Sequence, residues 1–139
     1  NGVGASLKHF ACNNSEVERT TMDSVVEERA LREIYLSGFE RAIAKNNPWT
    51  VMSSYNRLNG GQAAENPWLL DEVLRGEWGY DGVVVSDWHG IKDRPASLAA
   101  GNDLDMPESE TRKADLLEAI KAGRIDCAVL DKACARMLG

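Results

Sequence analysis

The sequence has little positive charge, few cysteines and no long apolar run. Its 139 residues carry 16 Lys and Arg against 22 Asp and Glu, a net charge of −6 with neutral histidines. No basic stripe is present that could neutralise phosphates, which excludes nucleic acid as the main partner. No segment resembles a transmembrane helix or a signal peptide. We therefore expect no membrane partner, and periplasmic, secreted and cytoplasmic locations all stay open.

Cysteine usage limits the metal and disulfide chemistry that the chain can support. Cys12, Cys127 and Cys134 are odd in number and share no metal-ligand spacing. We therefore expect free, mostly buried thiols in place of a zinc site or a disulfide framework. The sequence also contains no low-complexity tract, and its one recurring pattern is an alternation of short apolar segments with helical periodicity.

The most informative segment is DGVVVSDWH, residues 81–89. Val83 to Val85 show no polar alternation, which predicts a strand buried on both faces, as in a parallel sheet covered by helices. Asp87 then lies at the carboxyl end of that strand, the edge that carries the chemistry in parallel α/β folds. A carboxylate beside the indole of Trp88 suits sugar chemistry, because the acid can attack an oxocarbenium-like centre while the ring stacks on a pyranose.

The same kind of unit recurs along the chain. Apolar segments at residues 4–10, 50–55 and, more weakly, 104–107 predict three further strands. Helical patterns follow them at residues 22–44, 69–78, 96–100, 110–122 and 128–138, with Asp126 as a candidate cap of the last helix. This alternation predicts an α/β fold of about four βα units with parallel strands.

The number of units suggests part of a larger domain. A complete (β/α)8 barrel typically needs about 250 residues, whereas this chain has 139. We therefore interpret residues 1–139 as a partial catalytic barrel domain, the second half of a (β/α)8 TIM-type barrel. A half-barrel leaves open strand edges and an apolar inner face, so we expect the isolated chain to self-associate.

Five ordered motifs resemble glycoside hydrolase family 3 of the β-glucosidase type. They are residues 8–11 (KHFA), 23–35 (DSVVEERALREIY), 51–56 (VMSSYN), 82–88 (GVVVSDW) and 101–107 (GNDLDMP). The N-acetylglucosaminidase branch of that family carries a histidine-containing loop after the Lys-His-Phe motif. Here the loop is ACNNS, residues 11–15, without histidine. The departure favours the β-glucosidase-like branch.

The resemblance implies roles for six residues. It places the catalytic nucleophile at Asp87, in the Ser-Asp-Trp motif. It implies that Lys8 and His9 bind hydroxyls of the sugar in the subsite where cleavage occurs. The remaining three are Met52 and Tyr55, which would line that subsite, and Trp88, which would border it.

The implied activity is retaining hydrolysis of terminal β-D-glucosyl or related β-glycosyl residues, with a β-glucoside or oligosaccharide as substrate. In such a reaction Lys8 would favour the charged form of Asp87, and Tyr55 could donate a hydrogen bond to the carboxylate. The resemblance implies no cofactor and no metal. It assigns the acid/base glutamate to a following domain and the rest of the sugar site to the missing barrel half. We therefore expect the isolated chain to be inactive.

Each assignment has a structural alternative. Asp87 could cap the turn that follows its strand. Lys8 and His9 could form an exposed strand end, and Met52 and Tyr55 could fill the core. A separate expectation concerns two acids of the last strand, Asp103 and Asp105, which we expect to order the backbone around Asn102.

Two other functions also stay open. One is a non-catalytic, sugar-binding or self-assembling half-barrel. The other is a metal-dependent barrel hydrolase that uses His9, Asp87, His89 and Asp105 as ligands. Chelation separates this last class from the others, because loss of folding or activity with EDTA would indicate a metal.

Overall fold

The computed structural model describes residues 2–139 and has a three-stranded parallel sheet at its centre. The strands are β1 (Ser6–Phe10), β2 (Asp23–Ser24), β3 (Thr50–Ser53), β4 (Arg57–Leu58), β5 (Gly61–Gln62) and β6 (Val83–Ser86). The central sheet has the order β1-β3-β6, and β2, β4 and β5 form a small second sheet. Both pairs of neighbours in the central sheet are parallel, so the predicted α/β fold with a parallel sheet is confirmed.

A short 3-10 helix covers Ala63–Glu65, and five further helical regions accompany the strands. They are α1 (Glu28–Ala30 and Ser37–Asn46, with π-helical Leu31–Leu36 between them), α2 (π-helical Trp68–Glu77), α3 (Arg94–Ala99), α4 (Glu110–Lys121) and α5 (Cys127–Leu138). The predicted cap of α5 is confirmed, because Asp126 accepts a hydrogen bond from the Ala128 amide at 2.9 Å. The last four helices agree with the sequence pattern to within a few residues. The weak fourth strand is reduced to one parallel bridge between Leu104 and Val85.

The first helix begins later than its apolar periodicity predicts. The pattern started at residue 22, but Asp23 and Ser24 form β2, which pairs in parallel with β4. The Ser24 hydroxyl donates to the Cys12 carbonyl at 2.8 Å. Asn59 holds the next residues, since its side chain accepts from the Val26 amide and donates to the Val26 carbonyl. These long-range partners satisfy the backbone in an extended form, which removes the segment from the helix.

The core lies between the sheet and the helices on one of its faces. Phe10 at the end of β1 is fully buried and packs edge-on against Phe39 of α1 and Trp78, with ring centroids 5.0 and 5.8 Å away. Val51 of β3 and Val84 of β6 are also fully buried in this cluster. Each fully buried apolar side chain of this size contributes about 1.5–3 kcal/mol, so this layer holds the strands in place.

The second face of the sheet is only partly covered. Val84 is buried, whereas Val83 and Val85, which point to the opposite face, are half-buried. The prediction that this strand is buried on both faces is therefore wrong for residues 2–139. The physical reason is that the core cluster covers the face that carries Val51 and Val84.

Cysteine placement and helix length test two further expectations. All three cysteines are free thiols, but Cys12 alone is buried, and Cys127 and Cys134 are exposed. The expectation of mostly buried thiols is therefore wrong for two of them, because both lie on the polar side of α5. Across residues 2–139, no helix is both long and apolar enough to span a bilayer.

A buried carboxylate joins β6 to two helices. The side chain of Asp103 is fully buried and pairs with Arg75 of α2 at 2.8 Å and with Arg136 of α5 at 2.6 Å. The same carboxylate accepts a hydrogen bond from the Val84 amide at 2.8 Å. Asp103 therefore orders the backbone of β6, a different segment from the backbone around Asn102 that the sequence analysis expected it to order. Asp105 instead pairs with Arg112 of α4 at 2.7 Å.

Replacement of Asp103 by Asn is expected to destabilise the chain strongly. The change leaves two guanidinium groups facing a neutral amide, and breaking a buried ion pair costs about 3–5 kcal/mol of unfolding free energy. Urea unfolding followed by circular dichroism measures the loss. Glu33→Gln is the matched control, because it breaks the exposed Arg29–Glu33 pair, for which the expected loss is below about 1 kcal/mol. Equal losses in the two variants would contradict a structural role for the cluster.

Candidate active site

Asp87 lies directly after β6, at the carboxyl end of the parallel sheet. Its amide donates to the Ser53 carbonyl at 3.2 Å, so the strand pairing continues to this residue. One carboxylate oxygen, Oδ1, accepts from the Trp88 amide at 2.7 Å. The other, Oδ2, lies 3.3 Å from His9 Nε2, and the side chain is 16% exposed. The carboxylate is therefore held in one orientation while it stays accessible from solvent.

The structure brings His9 rather than Lys8 into contact with this carboxylate. Both residues lie where the pairing of β1 with β3 is irregular, between Leu7 and Phe10. His9 is half-buried and turns toward Asp87, whereas Lys8 is exposed. In the described part of the chain, no ion pair joins Lys8 to Asp87. The structure therefore shows no direct contact by which Lys8 would favour the charged form of Asp87.

Met52 lies in β3, and Tyr55 lies in the turn that follows this strand. Both side chains are half-buried, which is less than the core alternative requires. The pKa of Tyr55 is raised, first by burial and then by the hydrogen-bonding and negative charge of the Asp87 carboxylate. The phenol therefore remains a proton donor beside Asp87 at neutral pH. Met52 pairs with Val85 of β6, one position before Ser53 and Ser86.

The loop after Asp87 is fixed by side chains from the β4–β5 hairpin region. The Glu65 carboxylate accepts from the Lys92 and Asp93 amides at 2.6 and 2.8 Å. The Gln62 side chain donates to the carbonyls of Tyr55 and Gly90. These contacts tie the loop that carries Trp88 to the turn that carries Tyr55. Sequence analysis missed both residues, because the short hairpin has no apolar alternation to indicate it.

Trp88 projects from this loop and is 57% exposed. An indole with that exposure beside a half-buried carboxylate offers an apolar surface to a ligand instead of filling the core. The turn itself is closed by the Gly90 amide, which donates to the Asp87 carbonyl at 2.9 Å. The Asp87 Oδ1 atom accepts from the Trp88 amide within this turn, as the capping alternative expected, whereas the Oδ2 atom faces His9.

The four proposed metal ligands do not meet at one point, although His9 and Asp87 are in contact. Within residues 2–139 no group of three or more His, Cys, Asp or Glu side chains has a geometry that could hold a metal ion. Asp105 is engaged by Arg112, and His89 has a left-handed backbone whose amide donates to the Met106 carbonyl. The residues present do not fit a metal centre made from His9, Asp87, His89 and Asp105.

Asp87 and Trp88 at the candidate site are both accessible from solvent. A cavity of about 400 Å³ lies elsewhere, between α1, the β4–β5 hairpin and α2, and is lined by residues such as Leu31, Leu58 and Trp68. None of the predicted site residues contributes to it. The oriented carboxylate with His9, Tyr55 and Trp88 around it, and not the size of a cavity, therefore locates the candidate site. Such an arrangement can present a nucleophilic oxygen to an electrophilic carbon next to a flat apolar surface.

Comparison with known proteins identifies similar chains. The family model described as the glycosyl hydrolase family 3 N terminal domain matches residues 1–139. The thermostable beta-glucosidase B of Acetivibrio thermocellus is 51% identical over 138 residues, which are 99% of this chain and 18% of that protein. An exo-alpha-(1->6)-L-arabinopyranosidase of Bifidobacterium longum is 51% identical over 137 residues, again 99% of this chain and 18% of that protein.

Solved structures agree with the fold. Beta-glucosidase 3B from Thermotoga neapolitana in complex with glucose superimposes with a TM-score of 0.92 at 48% identity, over 95% of this chain and 20% of that one. The GH3 beta-glucosidase of Bifidobacterium adolescentis gives a TM-score of 0.94 at 50% identity, over 99% of this chain and 20% of that one. The chain thus spans about a fifth of the length of the relatives that it matches.

Replacement of Glu65 by Ala is expected to loosen the loop that follows Asp87. The two amides of Lys92 and Asp93 would lose a charged acceptor, and a hydrogen bond to a charged group contributes about 1.5–3 kcal/mol. Hydrogen–deuterium exchange at both amides should accelerate about tenfold or more. Glu65→Gln, which keeps an acceptor oxygen, should be affected less. Glu72→Ala on the exposed face of α2 is the control, and unchanged protection in Glu65→Ala would contradict this role.

Proposed function

This chain belongs to glycosyl hydrolase family 3, and we propose that it carries the nucleophile and part of the sugar site of a retaining β-glycosidase. The proposed substrate is a terminal β-D-glucosyl or related β-glycosyl residue of a glucoside or oligosaccharide. The single observation that carries the proposal is the oriented carboxylate of Asp87. It stands at the carboxyl end of a parallel strand, with His9 at 3.3 Å and the Trp88 amide at 2.7 Å.

The proposed reaction is a double displacement. An Asp87 oxygen attacks the anomeric carbon, the glycosidic bond breaks, and the leaving oxygen takes a proton from a separate acid. Water then attacks the same carbon and gives its proton to the conjugate base of that acid. The ester bond to Asp87 breaks, which regenerates the carboxylate and releases a sugar with retained configuration.

The other five residues have proposed roles around that carboxylate. His9 and Lys8 bind sugar hydroxyls, since an imidazole and a charged donor both form directional bonds to hydroxyl oxygen. Met52 lines the subsite beneath the sugar, and Trp88 provides a stacking surface at its border. The phenol of Tyr55 donates to the Asp87 carboxylate, whose hydrogen bond and negative charge add to burial in raising the pKa of Tyr55.

The acid that protonates the leaving oxygen is proposed to lie outside this chain. Retaining enzymes place the two carboxyl groups about 5 Å apart. Within residues 2–139, the hydrogen-bond and ion-pair partners of the Asp87 side chain are His9, the Trp88 amide and the Tyr55 phenol, and no second carboxyl group is among them. We assign the acid/base to a glutamate in a following domain, and the remaining sugar contacts to the other part of the barrel.

We further propose that residues 1–139 form the second half of a (β/α)8 barrel. The order β1-β3-β6, with Leu104 bridging next to β6, supports it, because strands that are consecutive parallel units are also neighbours in space. A doubly wound sheet would reverse that order at its switch point. The half-exposed face of Val83 and Val85 fits the interior of such a barrel.

The relatives do not agree on one preferred sugar. Proteins named as a beta-glucosidase and as an exo-alpha-(1->6)-L-arabinopyranosidase share the same identity with this chain. Structures of related enzymes contain glucose, which supports glucose as the first sugar to test. The non-catalytic alternative, a sugar-binding half-barrel, applies to the isolated chain, because Asp87 there has no second carboxyl partner.

Replacement of Asp87 in the complete enzyme is expected to abolish the covalent step. Asp87→Asn or Asp87→Ala should lower the turnover of an aryl β-glucoside by about three orders of magnitude or more. Sugar binding, measured by calorimetry, should persist, and circular dichroism should be unchanged. Asp71→Asn, which changes an exposed acid of α2, is the matched control. A variant within tenfold of the parent would rule out Asp87 as nucleophile.

The 139-residue chain alone is expected not to hydrolyse cellobiose, although it contains the proposed nucleophile. Without a second carboxyl group about 5 Å from the first, the leaving oxygen receives no proton. A dinitrophenyl β-glucoside hardly needs that proton, so slow covalent labelling of Asp87, detected by mass spectrometry, should survive. Robust turnover of cellobiose by the purified chain would refute the expectation and place an acid/base within these residues.

A further inference from the structure

An arginine outside the predicted site lies on one of its tyrosines. The guanidinium carbon of Arg19 is 5.0 Å from the centroid of the Tyr55 ring, a distance at which a cation is attracted by an aromatic face. Glu16 holds the same guanidinium at 2.6 Å. None of the sequence motifs includes Arg19 or Glu16, and the proposed reaction does not use them.

Backbone contacts hold the loop that carries Arg19 close to Tyr55. The loop of residues 11–22 begins where the Ala11 carbonyl accepts hydrogen bonds from the side chains of Ser54 and Asn56. It ends where the Met22 carbonyl accepts from the Arg57 amide at 2.9 Å. Both ends of the loop are therefore tied to residues that flank Tyr55, so Arg19 is delivered to the ring by fixed backbone contacts.

The middle of the loop is also defined. Glu18 adopts a left-handed backbone with φ of 50°, and its carbonyl accepts from the amides of Thr21 and Met22 at 2.8 Å each. This turn presents Arg19 on the site side of the loop. The Arg19 side chain is 47% exposed, and its guanidinium contacts the Glu16 carboxylate on one side and the Tyr55 ring on the other.

We propose that Arg19, held by Glu16, is a positioning residue that fixes the Tyr55 ring so that its phenol donates to the Asp87 carboxylate. The inference deepens the proposed function and rests on it. Arg19 touches neither the carboxylate nor the reacting carbon; it acts through the ring. The phenol stabilises the carboxylate when that group leaves the sugar, so the step most sensitive to Arg19 is release of the glycosyl group from Asp87.

The electrostatic effect of Arg19 has a definite sign. Its positive charge lowers the pKa of Tyr55, against the larger raising effects of burial and of Asp87. A lower pKa makes the phenol a better hydrogen-bond donor. Removal of the charge should therefore move the pKa of Tyr55 further upward and weaken the bond to Asp87.

A double-mutant cycle in the complete enzyme tests this role with a 4-nitrophenyl β-glucoside. Arg19→Gln is expected to lower kcat about tenfold in the parent, but less than twofold when Tyr55 is already Phe, because residues that act through one another are not additive. Arg19→Lys should recover most of the loss. Glu16→Gln, which releases the guanidinium, should lower kcat in the same direction by less. Arg29→Gln, an exposed arginine paired with Glu33 on α1, is the matched control and should leave kcat unchanged.

The second readout is the titration of Tyr55 itself. NMR of tyrosine labelled at Cζ should show a higher pKa for Tyr55 in Arg19→Gln and a value close to the parent in Arg19→Lys. A loss of kcat that is equally large in the Tyr55→Phe background, or accompanied by a raised KM alone, would overturn the proposal and indicate direct substrate binding by Arg19. An unchanged kcat in Arg19→Gln would overturn it as well.

Failure of the inference and failure of the proposed function are distinguishable. A dinitrophenyl 2-deoxy-2-fluoro-β-glucoside should label Asp87 of the parent enzyme covalently, which mass spectrometry detects. If Asp87 is labelled and the cycle is additive, only the role of Arg19 is wrong. If Asp87 is not labelled, the proposed nucleophile is wrong, and the role of Arg19 that depends on it is overturned with it.

Discussion

The buried carboxylate of Asp103 is the interaction on which the rest of the structure depends. It joins the amide of Val84, in the strand that leads to Asp87, to Arg75 of α2 and Arg136 of α5. Burial lowers the pKa of Arg75 because it disfavours the charged guanidinium. The negative charge of Asp103 acts in the opposite direction and partly offsets this effect of burial. Arg75 also donates to the carbonyls of Gly82 and Gly101. The cluster thereby fixes where β6 begins and which way it runs, and so where its carboxyl end places Asp87.

Different kinds of interaction hold the two ends of β6. At the amino end, buried charges and apolar side chains fasten the strand to helices on one face of the sheet. At the carboxyl end, polar contacts between loops take over: Glu65 holds the amides of residues 92 and 93, and Gln62 links Tyr55 to Gly90. This division suits the proposed role of this edge, because polar loops can fix a carboxylate while leaving it accessible, whereas an apolar core would enclose it.

The half-covered sheet explains why the site is a surface in this chain. Val83 and Val85 remain half-buried on the face opposite the helices, and the matched relatives are about five times longer than the matched segment. Family membership and this geometry both indicate that the chain contributes only part of a complete site. The chain supplies a rigid strand edge with an oriented carboxylate, and the remaining sugar contacts and the acid/base are proposed to come from elsewhere in the enzyme.

The sequence by itself determined the parallel α/β fold, most of the helix positions and the place of Asp87 at a strand end. These features depend on local patterns, such as the run Val83 to Val85 and the capping Asp126, whose effect does not require distant residues. Only the tertiary structure decided that Asp23 and Ser24 leave the first helix, that Asp103 holds two arginines, and that Arg19 and Glu65 stand at the site. Each of these rests on a partner more than twenty residues away in the chain, and hydrophobic periodicity carries no information about such pairings. The uncovered face of the sheet was also beyond a reading of local sequence patterns. Burial depends on what packs against a strand and not on the strand alone.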